Sequence, residues 1–415
     1  MNRRLFLRQG AFTLVGTAAI PSFLVRSVFA EASHAKASNK RLVVIFQRGA
    51  ADGLNIVVPW REPNYYAMRP TIAIPEKQVL DLDGVFGLHP SMAAFEPLYR
   101  QGHLAIVHAA GSPDPTRSHF EAQDTMESGT PGMNIASDGW LNRALQAEDE
   151  RQPHTSSTFR ALALGSDIPR TLSGRVPALA LANINGFGVA SQGSKPSSVA
   201  NTMERMYNAS GDHIFHVAGQ ETFDAIGMLR AASTAPYKPA PGVEYQGPFG
   251  NNMRQIAQLL KANIGVETAF TDMGGWDTHL NQGGVNGPLA NRLKEFSNAI
   301  AAFWRDMGDD AADITLVTMS EFGRTAAQNG TGGTDHGHGN VMFVLGGGVK
   351  GGKVYGRWPG LAKEQLNEQR DLAVTTDFRQ VLGEAITGAM GPLDLKRVFP
   401  GADLHAWTPL GLTKS

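Results

Sequence analysis

Residues 313–340 read DITLVTMSEFGRTAAQNGTGGTDHGHGN. The segment opens on a β-branched apolar run, Ile314 to Met319, whose composition predicts a buried strand. Ser320 and Glu321 stand at its end, followed by Phe322-Gly323-Arg324. A Gly/Asn/Thr-rich loop leads to Asp335-His336-Gly337-His338-Gly339, and a second apolar run, Val341 to Leu345, predicts another strand. One carboxylate thus closes a strand, and a carboxylate with two imidazoles precedes the next. The intervening glycines leave the backbone free to turn both rings toward one point. Oxygen and nitrogen ligands on loops beside strand ends suit a Zn, Mn or Fe site. The competing reading is a polar turn with two solvated histidines.

The segments on either side repeat the pattern. Asn251–Ile264 and Leu289–Met307 carry apolar residues at helical spacing. Between them, Glu267–Thr271 predicts a strand running into Gly274-Gly275-Trp276-Asp277-Thr278-His279. Asp277 and His279 stand two apart, which puts both side chains on one face of an extended segment. Downstream, Gly346-Gly347-Gly348-Val349-Lys350-Gly351 matches a G-x-G-x-x-G pattern. The next residues, Gly352 to Pro359, cannot open a helix, and no Lys-Ser/Thr pair is present, so it is neither a dinucleotide nor a P-loop site. It is read as a flexible loop near the site. Asp377–Ile386 predicts a last helix.

Toward the N-terminus, Arg41–Phe46 reads as a strand buried on both faces. Asp52 lies in the Gly-rich turn after it and is a candidate metal ligand, although a lone Asp there more often stabilises the turn. A helix is expected after Pro90, with Phe95, Leu98 and Tyr99 on one face, and then a strand at His103–Ala109. The loop Gly111–His119 joins that strand to a helix ending at Ser128-Gly129. A helix start offers free N–H groups and a positive dipole end to an anion. Ser118, or Thr116, could attack if a metal lowered its pKa, and Arg117 could hold an anionic ester oxygen. Ser118 could equally be an N-cap.

The chain has 415 residues, 42% hydrophobic and 18% charged, with no cysteine and a formal charge of −1. Disulfides and thiolate ligands are excluded, and no basic excess draws nucleic acid. Asn2-Arg3-Arg4-Leu5-Phe6-Leu7-Arg8 resembles a twin-arginine export motif, and residues 11–25 are too short and broken to span a bilayer. Cleavage is expected after Ala30. Residues 1–30 contain four arginines and no acid, so the charge then falls from −1 to −5. A periplasmic or secreted location is implied, with the twin-arginine translocation machinery as partner and no stable membrane anchor after processing. Residues 31–40 read as a linker, and 41–415 as one domain. Within it, 145–245 reads as an insertion or cap, with short strands at Leu162–Leu164 and Val176–Ala180 and helices at Ser197–Tyr207 and Ala218–Ala232.

In order, the twin-arginine start, RGAADGLN, PTRSHFEAQ, GGWDTH, SEFGRT and TDHGHGN resemble a bacterial family of exported proteins named as a domain of unknown function. That family is placed in the alkaline-phosphatase-like superfamily of phosphatases, sulfatases and phosphoglycerate mutases. The resemblance implies a three-layer α/β/α sandwich with a mostly parallel central sheet and a site at the strands' carboxyl ends. It implies one or two divalent metal ions, Zn, Mn or similar, and an anionic phosphate or sulfate ester as substrate. Carried over, the site residues become Asp52 with Ser118 or Thr116, Asp277 and His279, Glu321, and the Asp335-His336-His338 cluster. The superfamily's Asp-His is replaced here by Glu321-Phe322, which leaves one imidazole to be found, and the DHGH cluster is its expected source.

Overall fold

Alternate side chains of the first strand enter two different cores. Strand β1 (Arg41–Gln47) is buried from Leu42 onward. Val43 and Ile45 pack with Met253 and Ile256 of one helix and Leu293, Phe296 and Ile300 of another. Leu42, Val44 and Phe46 pack with Trp140, Leu141 and Leu145 and with Phe378, Val381 and Leu382. That period of two is the strand's own geometry, and with both faces covered it makes a three-layer sandwich. Truncating Ile45 to Ala would remove a fully buried side chain and cost about 2–5 kcal/mol.

The structure is a computed structural model that describes residues 40–133, 138–151, 159–184 and 236–414. After β1 come β2 (Val57–Val58), β3 (Leu80–Asp81), β4 (Gly87–Leu88), β5 (Leu104–Gly111), β6 (Ala161–Leu164) and β7 (Leu179–Leu181). Next are β8 (Thr268–Met273), β9 (Ile314–Ser320), β10 (Asn340–Gly346), β11 (Lys353–Tyr355) and β12 (Thr376–Asp377). The longer helices are α1 (His119–Ser128), α2 (Trp140–Arg151), α3 (Gly247–Lys261), α4 (Pro288–Met307) and α5 (Phe378–Met390). The central sheet runs β11-β5-β10-β9-β1-β8-β6-β7, with β12 also paired to β5, while β2, β4 and β3 form a separate small sheet. Val44 of β1 lies between Phe270 and Val317 in parallel register. Among the described strands of the central sheet, only β10 runs against its neighbours.

This topology places the site. The carboxyl ends of β1, β5, β8 and β9 open on one edge, and antiparallel β10 starts from that same edge. The segments after Gln47, Gly111, Met273 and Ser320 and the one before Asn340 are therefore neighbours. By the same geometry the glycine run at Gly346–Gly352 lies at the opposite edge, which corrects its expected place near the site. It packs tightly, since a Cβ on Gly347 would lie 2.5 Å from Ala312 Cα.

The element boundaries match the expected residues, with local differences. The helix after Pro90 begins as a 3-10 turn, Pro90–Phe95, before the short α-helix Glu96–Arg100. Phe95, Leu98 and Tyr99 are buried as expected. The strand expected at Val176–Ala180 is β7, Leu179–Leu181. β6 pairs with β8 and β7 with β6, so these parts of the 145–245 block extend the sheet. The helices expected at 197–207 and 218–232 and the signal segment 1–30 lie outside the described residues. Among the described residues, no helix is long and apolar enough to cross a membrane.

Candidate metal centre

The centre is built on three imidazoles whose Nδ1 atoms are each fixed by an acceptor. His119 is the first residue of α1, and its Nδ1 donates to Glu321 Oε1 at 2.9 Å. His279, beyond β8, donates Nδ1–H to Asp335 Oδ1 at 3.0 Å. His336, just before β10, donates Nδ1–H to the Arg117 carbonyl at 2.9 Å. In the neutral ring this leaves every Nε2 bare, since one nitrogen donates and the other accepts. Holding the outer nitrogen of a metal-binding histidine by a carboxylate or carbonyl is how such ligands are oriented.

The bare nitrogens converge on Asp277. His279 Nε2 is 3.1 Å from Asp277 Oδ1 and 3.0 Å from His336 Nε2. His336 Nε2 lies 3.5 Å from Asp277 Oδ1, and His119 Nε2 lies 3.6 Å from Asp277 Oδ2. The ligand atoms of His119, Asp277 and His336 all fall within 4.8 Å of one another. His279 stands outside that mutual group, but its Nε2 contacts two of the three, Asp277 and His336. A tetrahedral ion with bonds of about 2.0–2.1 Å has ligand–ligand edges of about 3.4 Å, and four of the separations, from 3.0 to 3.6 Å, bracket that value. His119 Nε2 is buried with no hydrogen-bond partner, a state that a cation would relieve. The three-nitrogen, one-oxygen donor set therefore fits a divalent ion such as Zn or Mn.

The electrostatics are set by the neighbours. The hydrogen bond to Glu321 raises the His119 pKa, against the effect of burial. Burial lowers that of His336. Burial pushes Asp277 upward, but the hydrogen bond and charge of Arg324 together outweigh it and hold the carboxyl below its ordinary range. Arg324, four residues beyond β9, is fully buried and donates to Asp277 Oδ1 at 2.5 Å. Glu321 is likewise held low: burial opposes ionisation, while His119 and the backbone N–H groups of Gly49 and Ala50 favour it. Gly49 N donates to Glu321 Oε1 at 2.7 Å. The chain turns there at φ +114°, and a Cβ would meet Asp277 N at 2.8 Å, so glycine is required.

The family model described as "Protein of unknown function (DUF1501)" matches residues 39–397. The chain belongs to this family. No curated protein matches it. Among solved structures it is similar to the PsFucS1 sulfatase from Pseudoalteromonas sp., at 12% identity and TM-score 0.39, covering 91% of this chain and 73% of that one. It is also similar to the lipoteichoic acid synthase LtaP from Listeria monocytogenes, at 8% identity and TM-score 0.32. That likeness covers 75% of this chain and 66% of LtaP, just under two thirds of its length. The alkaline phosphatase from the Antarctic bacterium TAB5 is 10% identical with TM-score 0.31, covering 74% of this chain and 90% of that one. These are distant likenesses, and the chemistry of the centre rests on this chain's own side chains.

Asp277, His279 and His336 come together as the sequence suggests, and Asp335 and Glu321 stand behind His279 and His119. Other expected residues lie elsewhere. Asp52 has no free oxygen for the centre. Both its oxygens accept from Arg69, at 2.6 and 2.9 Å, and Oδ2 also accepts from Gln282 at 2.6 Å, all fully buried. His338 is outside the group of converging atoms, and burial lowers its pKa. Arg117 does not present its guanidinium to an anion, because Asp371 and Glu368 occupy it. Thr116 Oγ1 donates to Glu121 at 2.6 Å. Ser118 occupies the N-cap position of α1, yet its side chain makes no capping hydrogen bond. Two imidazoles stand beside Glu321-Phe322, that of His336, from the expected DHGH cluster, and that of His119; their rings lie 5.0 and 5.1 Å from that of Phe322. Sequence reasoning passed over His119; its signal was a histidine opening a helix immediately after a strand-end loop.

Proposed function

We propose that the chain is an exported metal-dependent hydrolase of phosphate or sulfate esters. The observation that supports this most directly is the convergence of three Nε2 atoms on one carboxylate, beside an uncapped serine at a helix start. A divalent ion there supplies Lewis acidity, which polarises an ester oxygen and lowers the pKa of a nearby hydroxyl. His119, His279, His336 and Asp277 would hold it. Ser118 is the proposed nucleophile, with Thr116 in reserve. Its oxygen would form a bond to phosphorus or sulfur as the alcohol departs, and water would then release the acid. The first N–H groups of α1 favour the anionic group that this chemistry handles. One ion is proposed rather than two, because Asp52 is committed to Arg69 and Gln282.

A second reading is a non-catalytic, metal-stabilised binding protein. The commitment of Arg117 and Arg324 to protein carboxylates favours it, since neither is left to grip a dianionic ester. The decisive experiment is elemental analysis of purified protein together with a panel of phosphate and sulfate esters. Metal-dependent turnover supports the hydrolase. Retained metal with no turnover supports the binding protein.

The location is also proposed, from Arg3-Arg4 and the Ala30–Glu31 junction. The twin-arginine machinery would carry the chain out and leave it periplasmic or secreted. Intact mass should then give an N-terminus at or near Glu31. Full-length chain recovered from membranes would contradict it.

A further inference from the structure

Arg117 sits where an anion-binding arginine was expected, but its guanidinium faces two acids of very different character. Nε and Nη2 donate to Asp371 Oδ2 at 3.1 and 2.6 Å, and Nη2 also donates to Glu368 Oε2 at 2.7 Å. The Asp371 side chain is fully buried, whereas that of Glu368 is 58% exposed. Asp371 Oδ1 has no hydrogen-bond partner, and Arg370 Nε lies 3.6 Å from it. A buried carboxylate so sparsely satisfied depends on its facing cation. The strap that carries these acids is itself unusual. Glu368 and Gln369 take φ of +51° and +57°, a conformation that side-chain-bearing residues keep only where the surroundings fix it.

The strap reaches the metal centre by two routes. The Arg117 carbonyl accepts from His336 Nδ1 at 2.9 Å, and Arg370 Nη2 donates to the His336 carbonyl at 2.5 Å. Arg117 is followed directly by Ser118 and then by His119. Anchoring its side chain therefore fixes a carbonyl that orients one ligand, the proposed nucleophile, and the backbone of a second ligand.

We propose that Asp371 is a positioning residue for the metal centre, acting through Arg117. In this role Arg117 is an internal anchor and does not bind substrate. The inference rests on the metal-centre reading, and its test uses Co2+ as the probe and needs no substrate. Wild type, Asp371→Asn, Arg117→Lys and Glu368→Gln are compared for Co2+ affinity by chelator competition and for the visible spectrum of the bound ion. Loss of an outer partner of a metal ligand typically weakens binding about 10–100-fold, and that is expected for Asp371→Asn with an altered spectrum. Arg117→Lys should behave similarly, because lysine cannot reproduce the forked contact. Glu368→Gln removes a solvent-screened partner and should change affinity by no more than about threefold. If Asp371→Asn fails to fold, Arg117→Lys, at a partly exposed position, decides the matter. Wild-type affinity and spectrum in Arg117→Lys, or in both variants, overturn the proposal while the metal centre stands. A wild-type protein that takes up no Co2+ overturns the metal centre and the proposal together.

Discussion

Replacing Glu321 by Gln separates charge from shape at the metal centre. Glu321 is 1% exposed. Its Oε1 accepts from Gly49 N at 2.7 Å, His119 Nδ1 at 2.9 Å and Gln123 Nε2 at 3.1 Å. Its Oε2 lies 3.2 Å from Ser320 Oγ, which also donates to the Gln47 carbonyl at 2.9 Å. A glutamine can keep its oxygen at the Oε1 position and donate its amide to Ser320 Oγ, whose own proton stays on Gln47. The bonds to Oε1 and the contact with Ser320 then survive, and the negative charge behind His119 is lost. Charge-assisted bonds become neutral ones, which costs about 1–3 kcal/mol of stability. Zn2+ affinity should fall about 10–100-fold, or about 1.4–2.7 kcal/mol, as His119 becomes a weaker ligand. Glu321→Ala instead takes the acceptor from three part-buried donors and should cost about 3 kcal/mol. The assays are chelator competition for Zn2+ and urea unfolding of the metal-free protein. Wild-type Zn2+ affinity in Glu321→Gln would refute the assignment of His119 as a ligand oriented by this carboxylate. Equal stability losses in the Gln and Ala variants would refute the hydrogen-bond accounting.

Three further outcomes are expected. Ser118→Ala should lose less than about 0.5 kcal/mol, because no cap bond exists to remove, while hydrolysis falls by several powers of ten; paired melting and ester assays check this, with Thr116→Ala close to wild type in both. His336→Ala should abolish metal binding and His338→Ala should leave it intact, as read by metal content per chain, because only His336 belongs to the converging group. His108 should make the metal-free protein acid-sensitive. It donates Nε2–H to Val57 O and accepts from Ala109 N, and burial lowers its pKa from 6.5 to about 4. The unfolded chain takes up a proton that the fold refuses, so this contribution is whole above about pH 6.5 and declines toward pH 4 by about 3 kcal/mol. Urea titrations across that range should show a shallower decline in His108→Gln, and parallel curves would contradict the assignment.

The strands were legible because burial on both faces leaves a continuous apolar run, as in Arg41–Gln47 and Ile314–Ser320. Asp277, His279 and His336 were legible because glycine-rich loops after such runs supply little else that needs two imidazoles and a carboxylate. His119 was not, because one histidine in a helix's first turn has no local pattern; only the path of β5 beside β10 brings it to Asp277. Asp52 misled for the complementary reason. Its place after β1 suits a ligand, but its partner Arg69 arrives from 17 residues away, and no local pattern announces a buried ion pair. Arg117 shows the same limit, since Asp371 lies 254 residues further on. The place of the glycine run depended on the reversed direction of β10, which apolar composition does not encode.

The central claim is a single ion held by three Nε2 atoms and one carboxylate. Anomalous diffraction from crystals of Zn2+-loaded protein tests it most directly. The account predicts one peak per chain, about 2.0–2.2 Å from Nε2 of His119, His279 and His336 and from an Asp277 oxygen. A peak at Asp52 or His338, or one that does not include His119, would contradict it.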